Sequence, residues 1–157
     1  MAQYRFSSQV IGRSTGRSAV ACAAYRSGAA LADERTGVVH DFSRRHGITH
    51  CEIMAPENAP DWMLDRARLW NAVEASEKRG DAQLSREVQL SLPFELDDAQ
   101  RRELVRGFVA SQFVARGMIA DLAIHAPGRD GDDRNHHAHI MLTMRELTGQ
   151  GFGNKAR

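Results

Sequence analysis

The sequence predicts an α+β domain in which an antiparallel β-sheet carries helices mainly on one face. Three observations lead there. Extended and helical stretches succeed one another in the order β-α-β-β-α-β-α-β-β, an order that implies antiparallel pairing with helices laid against the sheet. The segment 85–92 (SREVQLSL) alternates strictly, with Val88, Leu90 and Leu92 on one face and Glu87, Gln89 and Ser91 on the other, the pattern of a strand with one dry side. Finally, 157 residues that are 42% apolar and 26% charged suit one globular domain with an ordinary core, so residues 1–157 are read as a single domain.

Taken in order, residues 3–11 form the first strand and the glycines at 12 and 16 bracket a turn. Ser14 or Ser18 then caps a helix, SAVACAAYRSGAA, that ends near Gly28. Its run of alanines favours helix and lets another backbone or a ligand approach closely. Residues 31–42 and 47–55 are extended around a turn at 43–47. A second helix spans 60–79, with Met63, Ala67, Trp70 and Val73 near a 3.6-residue period and Gly80 as its stop. A third helix, 97–116, starts at Asp97 or Asp98 and stops at Gly117. Strands 118–126 and 136–145 follow, joined by the polar loop PGRDGDDRN. The terminal GQGFGNKAR shows no closing element, which reads as the end of an N-terminal fragment of a longer protein.

Composition narrows the class. No stretch approaches the roughly 18 apolar residues of a membrane span, and no apolar secretory core stands at the N-terminus. Membrane insertion is therefore not expected. Cys22 and Cys51 form no CxxC and read as reduced thiols of a cytoplasmic protein. The net charge of +1 is uninformative, but residues 1–50 carry seven Arg against Asp33, Glu34 and Asp41, whereas 51–85 are net acidic. A basic end of this kind could follow a phosphate backbone, or it could be chance clustering.

The histidines carry more. Alternation in the last strand puts His137 and His139 on one face, with Ala138, Ile140 and Leu142 turned toward the helices. In the preceding strand His125 falls with Asp121 and Ala123. If the two strands pair, three imidazoles converge on an open sheet face, a strong divalent-metal set that leaves coordination positions free. His136 should point to the other side, and His50 reads as structural. Asp121 either supports an imidazole by a hydrogen bond or is a solvated carboxylate. A metal beside a phosphate needs an attacking atom, and Tyr25 lies one turn from the end of the alanine-rich helix, beside Arg26. By itself, a tyrosine in an alanine-rich helix is more often packing than chemistry. A phenol is mostly protonated near neutrality, so it would need a cation or a base nearby, and Arg26 and Glu87 are the candidates.

Three blocks, GRSTGRSAVACAAYRSG, REVQLSLPFEL and MIADLAIHAPGRDGDDRNHHAHIMLT, run in this order across nearly the whole chain. Together they resemble the MobA/MobL (MobQ-type) conjugative relaxases, most closely the N-terminal nicking domain of the TraA relaxases. The resemblance implies an HUH-type endonuclease on a ferredoxin-like or RRM-like antiparallel palm. It puts the catalytic pair on Tyr25 and Glu87 and the metal on His125, His137 and His139. Some relatives have a second carboxylate where this chain has Gln89. Tyr4, in a strand without the motif, is an alternative nucleophile in principle.

The expected activity is site- and strand-specific nicking and rejoining of single-stranded DNA at a plasmid transfer origin, through a 5′-phosphotyrosyl adduct. Mg²⁺ or Mn²⁺ would be the cofactor, with Zn²⁺ or Ni²⁺ also able to fill three imidazoles. The implied partners are the DNA, relaxosome accessory proteins and a type IV secretion coupling protein. Arg13, Arg17, Arg26, Arg44, Arg45, Arg129 and Arg134 are the candidate DNA-binding residues. Two other readings use the same features: a hydrolase that activates water with the histidines, and a noncatalytic RRM-like single-strand binder. The second is disfavoured by final strands that contain no aromatic residue.

Overall fold

The computed structural model describes residues 5–128 and 131–156; Tyr4 and Arg129 lie outside them. The strands are β1 (Phe6–Gly12), β2 (Ala30–Asp33), β3 (Val38–Asp41), β4 (Ile48–Met54), β5 (Gln83–Leu92), β6 (Ala120–His125), β7 (His136–Leu142), β8 (Arg145–Thr148) and β9 (Gly151–Lys155). The helices are α1 (Ala19–Ser27), α2 (Arg66–Ser76) and α3 (Asp98–Gln112). Five strands form one sheet in the order β1-β5-β7-β6-β4, every neighbouring pair antiparallel. This is the α+β antiparallel palm that the segment order implied.

The helices divide between the two faces. Val105 and Val109 of α3 pack on Val88, Leu122, Ile124, Ala138, Ile140 and Leu142. Helices α1 and α2 cover the opposite side, where Ala23, Ala24, Leu69 and Trp70 share a core with Ile11 and Met141. Thus the histidine-bearing face, expected to be open, is partly roofed. The polar residues Ser85, Glu87 and Asp121 on that side are all buried. Buried polar groups persist when each finds a partner, and these do.

Local chemistry sets the element ends. Ser18 accepts from the Ala21 N–H and caps α1, whose other end turns at Gly28 with φ +67°. A Cβ on Gly28 would crowd only the movable tip of the Ile48 side chain, at 2.6 Å, so it is the left-handed backbone that makes glycine the fitting residue at this turn. The predicted 60–79 helix is shorter than its periodicity suggested: residues 61–64 make a 3₁₀ turn, Asp65 caps α2, and the helix ends at Ser76. Its C-terminal carbonyls are claimed by Arg13, which donates to the backbone oxygens of Glu74, Glu77 and Arg79 at 2.9–3.1 Å and to the Glu74 carboxylate at 2.6 Å. Arg13 is therefore a buried cap for α2, which corrects its reading as a phosphate contact.

Two hairpins stand apart from the main sheet. The extended segment 31–42 folds back on itself as β2–β3, turning at Gly37 with φ +73°. The terminal stretch, read as lacking a closing element, forms the β8–β9 hairpin, tied to the end of α2 by Arg145–Glu77 at 2.7 Å and by Leu147 and Phe152 against the core.

Candidate metal and nucleophile site

The β6–β7 register sets His125 directly opposite His137, with His139 two residues further along β7 opposite Ala123. Side chains directly opposite in an antiparallel pair share a face, so the three rings meet. Their centroids are 4.7–5.2 Å apart, and one ligand nitrogen from each lies within 4.8 Å of the others. His125 and His139 are buried and His137 is half-buried. His136 sits on the other face of β7, as expected, and His50 is taken up by Glu52 at 3.1 Å.

Each imidazole has one nitrogen held by an acceptor. His125 Nε2 donates to the Arg26 carbonyl at 2.8 Å, His137 Nδ1 to the Asn135 carbonyl at 3.0 Å, and His139 Nδ1 to Glu87 at 3.0 Å. Carbonyl and carboxylate oxygens cannot donate, so these nitrogens carry the N–H, and His125 Nδ1, His137 Nε2 and His139 Nε2 are the nitrogens placed to act as ligands. Burial drives the His125 pKa down to about 4, with a smaller opposing effect from the Arg26 carbonyl. The same cause lowers His137. Both rings are thus neutral at physiological pH, the state a metal requires.

Glu87 is 1% exposed. Burial alone would raise its pKa, but hydrogen bonds from His139 and Arg26 and the Arg26 charge prevail and hold it below the usual range. One carboxylate oxygen takes Arg26 Nε at 3.2 Å and His139 Nδ1, and the other takes Arg26 Nη2 at 3.1 Å. Its geometry is that of a group orienting His139 and pinning α1. Asp121, by contrast, meets no imidazole: it is buried and bound by Arg66 and by Trp70 Nε1 at 2.9 Å, which corrects both roles considered for it.

Tyr25 occupies the last turn of α1 and is 41% exposed. The carbonyl of the next residue, Arg26, is the one that receives His125, so the tyrosine is one peptide unit from the triad. The loop 42–47 holds the ring from the other side. Phe42 packs edge-on at 5.1 Å between centroids, and the Arg45 guanidinium lies 3.9 Å from the ring centroid while also donating to the Tyr25 carbonyl. The Arg45 charge also reaches His125 and His137, lowering both. The loop is fastened at both ends: Phe42 N–H donates to Ala29 O at 3.0 Å, and Gly47 O accepts from Ala126 N–H at 2.7 Å.

Of the other proposed DNA contacts, Arg26 is committed to Glu87, Arg134 pairs with Asp132 at 2.8 Å, Arg44 is exposed, and Arg17 flanks a groove beside Tyr25. Sequence reasoning missed the Phe42–Arg45 cradle, since nothing in a turn 17 residues downstream marks it as a neighbour of Tyr25.

An antiparallel α+β palm with three convergent imidazoles beside an exposed tyrosine defines a protein with a site competent for a divalent cation. The profile of the MobA/MobL family matches residues 17–157, and the chain belongs to that family. It is 41% identical to the mobilization protein MobL of Acidithiobacillus ferridurans over 99% of this chain and 46% of that protein. It is likewise 41% identical to the conjugal transfer protein TraA of Rhizobium radiobacter, over 99% of this chain and 14% of that protein. The chain therefore spans less than half the length of these relatives. A solved chain from "Molecular Basis of Vancomycin Resistance Transfer in Staphylococcus aureus" superposes with a TM-score of 0.89 at 33% identity, covering 99% of this chain and 78% of that one. Among the described residues, no helix is long and apolar enough to cross a membrane.

Proposed function

We propose that this domain is a conjugative DNA relaxase that cuts and rejoins one strand at a transfer origin through Tyr25. The observation that carries the reading is the junction at Arg26: its carbonyl holds His125 of the triad while its neighbour Tyr25 presents an exposed phenol. Membership of a family whose relatives are named mobilization and conjugal transfer proteins supports it.

His125, His137 and His139 would hold a divalent ion, with Mg²⁺ or Mn²⁺ expected and Zn²⁺ or Ni²⁺ compatible with the donor set. The fit is supported by the convergence of one ring nitrogen from each histidine and by an acceptor behind each ring. Such an ion, when bound, would neutralise charge on the scissile phosphate. Tyr25 Oη attacks phosphorus, the bond to the 3′ oxygen breaks, the phenol proton leaves, and the 3′ oxygen takes up a proton. The 5′ phosphate remains esterified to Tyr25, so the reverse attack reseals the strand. Glu87 positions His139, and Arg45 orients the phenol and offers the incoming phosphate a cation. Accessory proteins of a relaxosome and a secretion coupling protein are the proposed partners.

The test uses end-labelled, randomised single-stranded DNA with Mn²⁺, followed by denaturing electrophoresis. The parent should form a covalent protein–DNA adduct and Tyr25→Phe none, with a fold unchanged by circular dichroism. Cleavage without an adduct, or adducts that persist in Tyr25→Phe, would overturn the proposal.

A further inference from the structure

A groove of about 380 Å³ runs from Tyr25 between α1 and the β2–β3 hairpin. The helix contributes Ala21, Cys22, Tyr25 and Arg26, the turn before it contributes Arg17, and the hairpin contributes Val38 and His40. That volume is within the range of small-molecule sites. Of these, only Tyr25 and Arg26 belong to the metal and nucleophile site described above.

The lining has the character of a site for an unpaired base. Ala21 and Cys22 leave the helix side low, so a flat group can lie against it. Val38 is an apolar side chain left 48% exposed on the facing wall. Arg17 and His40 supply polar groups at the rim, and Arg17 makes no ion pair among the described residues, its guanidinium contacting Cys22 Sγ at 3.5 Å. Asp33, the one carboxylate lining the groove among the described residues, is 1% exposed and already satisfied by Ser18 Oγ at 2.7 Å and the Arg35 N–H at 3.1 Å. The groove therefore offers an apolar slot with a positive rim and no exposed acid. An unpaired nucleotide has the matching form: an apolar π-face, polar edges and an anionic phosphate.

Its position selects the occupant. Tyr25 lines the groove and is also the proposed nucleophile, so a strand whose phosphate reaches Tyr25 has this concave surface beside it. We infer that the α1/β2–β3 groove holds the base of a nucleotide flanking the cut and sets sequence preference there. This rests on the relaxase reading given above.

The experiment sequences the DNA captured as adducts from the randomised pool. Parent protein should enrich one base roughly tenfold at a position within about two nucleotides of the cut. Ala21→Phe fills the slot from the helix side while keeping the Ser18 cap, which uses the Ala21 backbone N–H. It should still form adducts at saturating DNA but lose preference at that position alone. His40→Ala, on the hairpin wall, should alter which base is preferred, and it decides the matter if Ala21→Phe fails to fold. Adducts from both variants with the parent's profile would overturn the groove assignment and leave the relaxase reading intact. No adduct from the parent would overturn the relaxase reading itself.

Discussion

The two faces of the sheet solve different problems with the same strands. Toward α3 the contacts are aliphatic, with Val88, Leu122, Ile140 and Leu142 closing on Val105 and Val109. Toward α1 and α2 the same strands bury Glu87, Asp121, His125 and His139. The first arrangement yields stability from area removed from water. The second needs each buried charge paired, by Arg26–Glu87 at 3.1 Å and Arg66–Asp121 at 2.9 Å, and such pairs tend to recover little beyond their desolvation cost. Alternation along β5, β6 and β7 thus separates holding the fold from holding the candidate site.

Substitutions on each face should break or sharpen that division. The largest stability loss is expected from Ile140→Ala, which opens a cavity in the α3-side core and should cost about 2–5 kcal/mol in denaturant unfolding. Metal stoichiometry of the folded protein should stay the same; a variant that loses metal while folded would join the two faces again.

A pH dependence comes next, and it belongs to the other face. His125 titrates near 4 in the fold, against about 6.5 when unfolded. Between these values the unfolded chain binds a proton that the fold refuses, so stability is complete above about pH 6.5 and falls as pH drops toward 4. For this group the loss is on the order of 3 kcal/mol. Metal-free protein whose unfolding midpoint is flat from pH 7.5 to 4.5 would contradict the assignment, and His125→Phe should flatten the curve.

The smallest of these effects is expected from Glu87→Gln. An amide keeps the shape but weakens the hold on His139 Nδ1, so metal affinity measured by calorimetry should fall about 10–100-fold. Unchanged affinity would reduce Glu87 to a partner of Arg26 alone.

How much of this was legible depended on the range of the interaction. The pairing of His137 with His139 follows from a period of two, and His125 joins them once strands on either side of a short loop pair. Glu87 and Asp121 showed the limit of the same rule, because alternation marks a polar position without saying whether water or an arginine satisfies it. Arg13 appeared to belong to a basic cluster, whereas its partner Glu74 lies 61 residues away. The helical period of 60–79 could not foresee that this arginine would take the last carbonyls. Both hairpins were missed for a similar reason: β2–β3 and β8–β9 are short, and their pairing depends on glycine-assisted turns more than on hydrophobic pattern.

The loop 42–47 works as a ruler. One end is fastened at Ala29, just past the helix that bears the phenol, and the other at Ala126, just past the first imidazole. Surface connections usually accept insertions at small entropic cost. Here an added residue would shift Phe42 and Arg45 against the Tyr25 ring, so the length of this connection is tied to how that ring is held.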